Sequence, residues 1–424
     1  MKRSGWIYLL AAVTGALAGL FGAAFHFLLD RLEAGRLVLR ESLQGAALPG
    51  WSVMMLLGAL MVGTALWLVR RFAPDAGGSG IQEIEGVLGG GRRLNWKRLL
   101  PVKFMAGTLA IGSGMVLGRE GPTIHMGGAL GSMLGAWARL NDAGSRALIA
   151  AGAGAGLTAA FNAPLAGIVF VIEEMREAFE FNFVSFNVVV LTCCVAEVVN
   201  GAWLGQGPFL PLIDFPAPSL NDLMLFAVLG VAVGIFGVVF EQVLMGGLDW
   251  FEGARDIHPF VVGAAVGMAT GAVVWFMPVL SGGGENLVED LMSHHYALGL
   301  LVFLILARTL TTVLSYGSGV PGGIFAPMLA LGTLAGLIFG FGAELMLPGN
   351  DVPPGCFAVA AMGALFAATV QAPLTGIILV IELTGNHQMI LAIIVTCLTA
   401  SLTAGALGGR PVYRVLLERS KSRH

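Results

Sequence analysis

Long apolar runs separated by short polar breaks fill the chain. Apolar segments occupy 5–29, 51–69, 99–117, 123–138, 147–175, 185–204, 221–247, 258–280, 296–316, 323–347, 355–384 and 388–408. An α-helix needs roughly 20 apolar residues to cross a bilayer. Several of these runs are longer, others shorter, and many are cut by Gly or Pro, so the pattern predicts broken and re-entrant helices rather than a simple set of spans. The break at 115–125 reads Met-Val-Leu-Gly-Arg-Glu-Gly-Pro-Thr-Ile-His. It sets Glu120 between two apolar runs, with Gly118, Gly121 and Pro122 around it. Glycine permits backbone that a helix cannot use, and proline is tolerated in a first turn. The expected geometry is a helix ending near Leu117 and a new one starting at about Pro122. Helix starts carry unpaired N–H groups and partial positive charge, so this break is suited to face an anion. A charge at mid-bilayer costs about 2.5–3.5 kcal/mol on insertion. Glu120 is therefore a functional candidate, the plainer alternative being an ion pair with Arg119.

Composition agrees with the pattern. Of 424 residues, 56% are hydrophobic and 12% charged, and the mean hydropathy is +0.84. That balance marks a polytopic membrane protein. The 62 glycines suit close helix packing. A net charge of −3 argues against a nucleic-acid partner. Cys193, Cys194, Cys356 and Cys397 lack metal-ligand spacing and read as small packing residues, so neither a metal nor a cofactor is expected. Met1-Lys2-Arg3 precedes a run too long for the core of a signal peptide, which favours an uncleaved first helix. Sixteen of the 23 Lys and Arg lie at or before Arg176, and five lie between Arg410 and Arg423. By the positive-inside rule both termini and the 70–98 loop are cytoplasmic. Arg31, Arg36 and Arg40 run against this, interleaved with Asp30, Glu33 and Glu41.

The chain also repeats itself. The stretch 150–173, ending Asn-Ala-Pro-Leu-Ala-Gly-Ile-Val-Phe-Val-Ile-Glu, reappears at 363–382, ending Gln-Ala-Pro-Leu-Thr-Gly-Ile-Ile-Leu-Val-Ile-Glu. Pro164, Gly167 and Glu173 match Pro373, Gly376 and Glu382. Gly118 to Pro122 corresponds to Gly323-Ile-Phe-Ala-Pro327, followed by the pairs Gly127/Gly332 and Gly131/Gly336. Gly78-Ser-Gly80 precedes Gly282-Gly-Gly284 by about 204 residues. Two halves, 1–205 and 206–424, therefore share one fold within a single membrane domain. Repeats of this kind commonly hold a substrate site at their interface, among helix ends.

Symmetry supplies the scaffold, so its violations mark chemistry. Glu120 is matched by Phe325, Ser79 by Gly283 and Glu174 by Leu383, whereas Glu173 is matched by Glu382. Glu173 and Glu382 accordingly read as structural, capping or pairing at equivalent places, and Glu120 and Glu174 as functional. The plainer alternative for Glu174 is a surface carboxylate beside Arg176. Ser79 can offer a hydroxyl at a helix start, ordinarily as a cap. With further starts at 118–122 and 322–327, three helix N-termini would form a pocket of dipoles and N–H donors without a full positive charge, able to hold a halide yet release it.

With these residues assembled, the chain closely resembles the CLC family of chloride channels and chloride/proton antiporters, over nearly its whole length. The resemblance rests on Gly78-Ser-Gly-Ile-Gln82, Gly118-Arg-Glu-Gly-Pro122, Gly323-Ile-Phe-Ala-Pro327 and Pro411-Val-Tyr413. It implies the all-α CLC fold of 18 tilted helices in two inverted repeats, and a homodimer with one anion pathway per subunit. Carried over by position, Ser79, Tyr413 and the main-chain N–H groups of Ile324 and Phe325 would bind chloride. Gly78, Gly80, Ile81, Gly118, Arg119, Gly121, Pro122, Gly323 and Pro327 would shape the selectivity motifs. Glu120 would be the external gate and Glu174 the internal proton-transfer residue of antiporter members. Tyr413 alone would read as an interfacial anchor. Gln82 departs from the family's usual proline. Ser79 favours chloride over nitrate, and Ser79 with Tyr413 argues against the fluoride-exporting branch. No regulatory domain is expected after Tyr413, since eleven residues remain.

The function expected is secondary active exchange of chloride for protons, in which Glu120 and chloride compete for one pocket and Glu174 passes protons through transient water. A passive channel of the same fold is the alternative. An enzyme is not expected, because no His-Glu-x-x-His, no Gly-x-Ser-x-Gly and no paired intramembrane aspartates occur. His125 reads as a packing residue.

Overall fold

The computed structural model describes all residues except 1, 46–48, 177–181, 206, 213–214, 348, 350 and 422–424, with side chains from Gly5 onward. Met1 and Arg423 of the basic clusters and residue 206, where the second half begins, thus lie outside the described residues. The described residues form 17 α-helices and no strand. The first half holds α1 Lys2–Ser42, α2 Gly50–Phe72, α3 Ile81–Leu88, α4 Trp96–Gly112, α5 Glu120–Trp137, α6 Asp142–Phe161, α7 Pro164–Glu174 and α8 Phe183–Leu204. The second holds α9 Leu223–Glu252, α10 Pro259–Phe276, α11 Glu285–Ser293, α12 Leu298–Gly317, α13 Phe325–Met346, α14 Pro354–Val370, α15 Pro373–Thr384 and α16 Ile390–Ala406, and α17 Val412–Lys421 closes the chain. Eight helices among the described residues are long and apolar enough to cross a membrane. Others, such as α3, α7 and α11, are too short to cross, which makes this a fold of broken helices.

The inverted repeat is visible in the packing. In each half the first helix packs on the eighth, the fifth on the sixth, and the sixth on the eighth: α1 on α8, α5 on α6 and α6 on α8, repeated as α9 on α16, α13 on α14 and α14 on α16. Equivalent helices also meet across the halves, α2 against α10 and α7 against α15, as a two-fold relation between repeats requires. Gly118 and Gly323, equivalent in sequence, exchange both backbone hydrogen bonds at 2.8 Å. Gly78 N donates to Val320 O, and its counterpart Gly282 N donates to Gly114 O.

Local chemistry explains where the helices break. The runs 147–175 and 355–384, continuous in hydropathy, are each two helices. Asn162 and Gln371 end α6 and α14 in the left-handed region at φ 53° and 59°, and Pro164 and Pro373 open the next helix. Proline disfavours helical backbone in the residue before it and has no N–H to donate to the preceding turn. Gln371 Nε2 holds its bend by donating to Gly409 O at 2.7 Å. Helix α4 stops at Gly112, earlier than Leu117, because Gly114 adopts φ +97° and the chain then bends, with Leu117 N donating to Met115 O, before it reaches Gly118. Helix α1 continues well beyond residue 29. Its charged end serves neighbouring helices: buried Arg36 donates to Gly112 O, the end of α4, and Arg40 to Trp275 O near the end of α10. Cations suit helix C-termini, so these arginines satisfy helix ends rather than report topology.

The duplicated glycines let helices touch. A Cβ on Gly127 or Gly131 would lie 2.1 Å from a carbonyl oxygen of α6, and one on Gly332 or Gly336 would lie 2.4 and 2.3 Å from carbonyl oxygens of α14. Both α6 and α14 are apolar all round and buried over nearly their whole length, as central helices should be.

Candidate ion-binding site

Four helix beginnings meet at the centre. Gly78 and Gly80 take φ +57° and +89°, and the bend turns the chain so that α3 starts at Ile81 with Ser79 just before it. Gly121, in the first turn of α5, presses its Cα against Ser79: a Cβ there would sit 2.7 Å from Ser79 Oγ. Ile324 precedes α13, and Phe325 opens it. Tyr413, in the first turn of α17, stacks on Phe325 with ring centroids 6.3 Å apart. Pro122 and Pro327 lie in first turns, where their missing N–H removes no helical bond. The structure thus brings Ser79, Glu120, Ile324, Phe325 and Tyr413 together, drawn from both repeats.

Unpaired polar atoms define the pocket. Ser79, Glu120 and Tyr413 are fully buried, and Ser79 Oγ, both carboxylate oxygens of Glu120 and Tyr413 OH have no partner that meets hydrogen-bond geometry. The Ser79 and Tyr413 hydroxyls approach each other without closing a bond. Buried polar groups are nearly always paired, so such a cluster points to a missing small polar species. The Glu120 carboxylate folds back over Gly118, and Oε2 lies 3.3 Å from the Cβ position of Gly323. It faces the N–H of Ala326 at the start of α13. An anion would occupy that place. Arg119 does not pair with Glu120. Its guanidinium lies over the Phe209 ring at 4.3 Å and reaches Glu285 at 3.7 Å and Asp30 at 4.0 Å.

A full cation stands directly behind the pocket, which hydropathy and motif spacing did not reveal. Lys103 is fully buried and its Nζ donates to the carbonyls of Ala76, Gly78 and Ser79 at 3.0, 2.7 and 3.1 Å. Holding those carbonyls turns the peptide N–H groups of Ser79 and Gly80 the other way, and the Ser79 N–H meets the Tyr316 hydroxyl. Arg308, 205 residues on, repeats the device by donating to the carbonyls of Ser281 and Gly282. Comparing the repeats position by position would have found this pair.

Glu174 lies apart, half-buried at the end of α7. It hydrogen-bonds Glu85 of α3, with Arg176 still within electrostatic range. Two carboxyl groups can share a hydrogen bond only if one carries a proton. Glu85 was missed because only folding brings α3 to α7. Tyr413 lies within electrostatic range of both Glu120 and Glu174. Phe170 and Phe366 pack on Phe325, with ring centroids 6.1 and 4.4 Å away. Glu173 and Glu382 cap helices reciprocally across the repeats. Glu173 accepts from Leu374 N and Thr375 N at 3.0 and 2.7 Å, and Glu382 from Leu165 N and Ala166 N at the same distances. His125 is buried against Gly80, and neither ring nitrogen has a partner.

Two cavities approach the pocket. One of about 220 Å³ is bordered by Asp30, Arg36, Leu117, Arg119 and Glu285. The other, about 450 Å³, is bordered by Gly78, Gln82, Tyr316 and the arginines 70, 92, 255 and 419. Among the described residues no cluster suited to a metal ion occurs.

Comparison with known proteins agrees with this geometry. Residues 57–405 match the family described as voltage gated chloride channel. An H(+)/Cl(-) exchange transporter ClcA of Vibrio parahaemolyticus is 46% identical over 98% of this chain and 90% of its own length. The ClcA exchange transporter of Salmonella arizonae is 44% identical over 98% of this chain and 88% of its own. A solved structure of a slow cyanobacterial Cl-/H+ antiporter superposes with a TM-score of 0.95 at 39% identity, covering 99% of this chain and 98% of that one. A CLC-type fluoride/proton antiporter shares the fold at 20% identity and a TM-score of 0.77, covering 95% of this chain and 96% of that one. The chain therefore belongs to the voltage gated chloride channel family, the CLC proteins.

Proposed function

We propose that this protein is a secondary active antiporter that exchanges chloride for protons, and that Glu120 and chloride take turns in one pocket. The observation that carries this is the unpaired carboxylate of Glu120, buried where three helix starts and two unpaired hydroxyls converge. Ionised, Glu120 fills the anion position. Protonated, it loses its attraction to the helix starts and yields to chloride, so proton and anion movements are linked. Ser79 and Tyr413 offer hydroxyl donors, and α13 offers the N–H groups of Ile324 and Phe325. Glu174, bonded to Glu85, holds a proton, and transient water carries it to Glu120. No cofactor takes part. The names of the relatives support exchange rather than passive conduction, and they are transporters rather than enzymes.

The halves 1–205 and 206–424 read as one membrane domain. The protein acts as a homodimer embedded in membrane lipid, in a bacterial inner membrane with both termini cytoplasmic. In that orientation the arginine-bordered cavity is the cytoplasmic approach and the cavity at Arg119 the external one. The deciding measurement is the reversal potential of proteoliposomes under opposed chloride and proton gradients. Antiport displaces it from the chloride Nernst potential. A value at that potential identifies a channel and overturns the reading.

A further inference from the structure

We propose that Gln82 helps determine how tightly this protein holds its anion, by placing a main-chain N–H and a side-chain amide where chloride passes from the arginine-bordered cavity to Ser79. The inference rests on the chloride reading above and adds a residue to it. Gln82 occupies the second position of α3, where a backbone N–H has no intrahelical acceptor. The first turn-closing bond of this helix runs from Ile84 N to Gly80 O, one turn in. A proline here would fit the helix but would remove that donor.

The side chain supplies the second, independent observation. Gln82 is 8% exposed and its Oε1 is buried without a partner. That oxygen only accepts and cannot hold an anion, so the end of this amide that can is its NH2 group. Its Nε2 lies over Gly78: a methyl on that glycine would be 3.7 Å from Gln82 Nε2 and 3.5 Å from the Tyr316 hydroxyl. Gln82, Gly78 and Tyr316 all border the cavity of about 450 Å³. Of the three acids there, Glu83 is engaged with Arg92 and Glu252 with Arg255 and Arg419, which leaves Asp75 as the one carboxylate not held by an arginine against the four arginines of the lining. An anion that follows the arginines inward therefore meets the amide and the Tyr316 hydroxyl before it reaches Ser79. Both groups are neutral, so they can slow an anion without trapping it, consistent with a path that must release what it binds.

The test uses the purified full chain carrying Glu120→Gln, so that no carboxylate competes, and measures chloride binding by calorimetry. Gln82→Ala removes the amide and keeps the N–H, and chloride affinity should fall about threefold. Gln82→Pro removes both, and the fall should approach tenfold, as expected for two partly hydrated donors to an anion. Gln82→Glu should bind at least tenfold more weakly at pH 7.5 and recover towards the Ala value near pH 4, where a carboxyl of ordinary pKa is protonated. A residue that only shaped the helix would show no such recovery. Affinities within twofold of the Gln82 parent in both the Ala and Glu variants at pH 7.5 would overturn the inference while leaving the chloride reading intact. Absence of chloride binding in the Gln82 parent would overturn both.

Discussion

In the proposed mechanism one side chain, Glu120, serves as both gate and proton carrier. Its carboxylate has no hydrogen-bond partner and no ion pair, because Arg119 is held by Phe209, Asp30 and Glu285. Neutralising it removes its claim on the pocket. Glu120→Gln is therefore expected to abolish proton movement while chloride flux continues and loses its dependence on pH. In the wild type, flux should rise as pH falls, because protonation frees the anion position. Proton uptake against a gradient by Glu120→Gln liposomes would refute the role. Glu174→Gln should likewise stop proton uptake and spare chloride flux, since its bond to Glu85 lies outside the anion pocket. Lys103→Met is expected to lower the melting temperature as well as chloride affinity. It leaves the buried carbonyls of Ala76 and Ser79 without a donor, at about 1–3 kcal/mol for each that water cannot reach, while Gly78 O keeps the N–H of Gly322.

At the scale of helices and breaks, much was legible in the sequence. Gly and Pro announced the interruptions at 78–80, 118–122 and 322–327, because backbone freedom and a missing N–H are properties of the residue itself. Repeat arithmetic separated Glu173 from Glu174, and the reciprocal caps give the reason Glu173 is duplicated. What escaped was chemistry made by distant partners: Lys103 against 76–79, Glu85 against Glu174, Arg36 against the end of α4. Hydropathy also could not divide 147–175 or 355–384, since the bend at Asn162 or Gln371 costs no polarity. The caps themselves give a prediction with a built-in asymmetry. Thr375 adds a side-chain hydroxyl to the bonds that Glu173 accepts, and Ala166 at the equivalent place cannot. Removing a helix cap costs about 0.5–2 kcal/mol. Glu173→Ala should therefore lower the melting temperature more than Glu382→Ala, and Thr375→Ala should bring the two into line. Equal losses with Thr375 in place would show that the hydroxyl contributes nothing.

At the scale of the whole molecule, the two cavities do not meet. Ser79, Glu120 and Tyr413 border neither and are fully buried, so the pocket is closed on both sides in this conformation. An exchanger needs that closure, because a path open at both ends lets chloride run down its gradient without a proton. The closure rests on few atoms. Glu120 fills the space beside Arg119, and the Tyr413 ring, stacked on Phe325, fills the space beyond Ser79. Truncating either should leave one barrier standing. Truncating both should join cavities of about 220 and 450 Å³ through the pocket. Glu120→Ala with Tyr413→Ala is accordingly expected to raise chloride efflux from proteoliposomes at least tenfold over either single change, with no proton movement and a reversal potential at the chloride Nernst value. If the rate of the double variant equals that of Glu120→Ala alone, the barrier on the second side lies in the backbone straps around Gly78 and Gly323 rather than in the tyrosine. The alternation that couples the two ions would then require movement of the helix starts themselves.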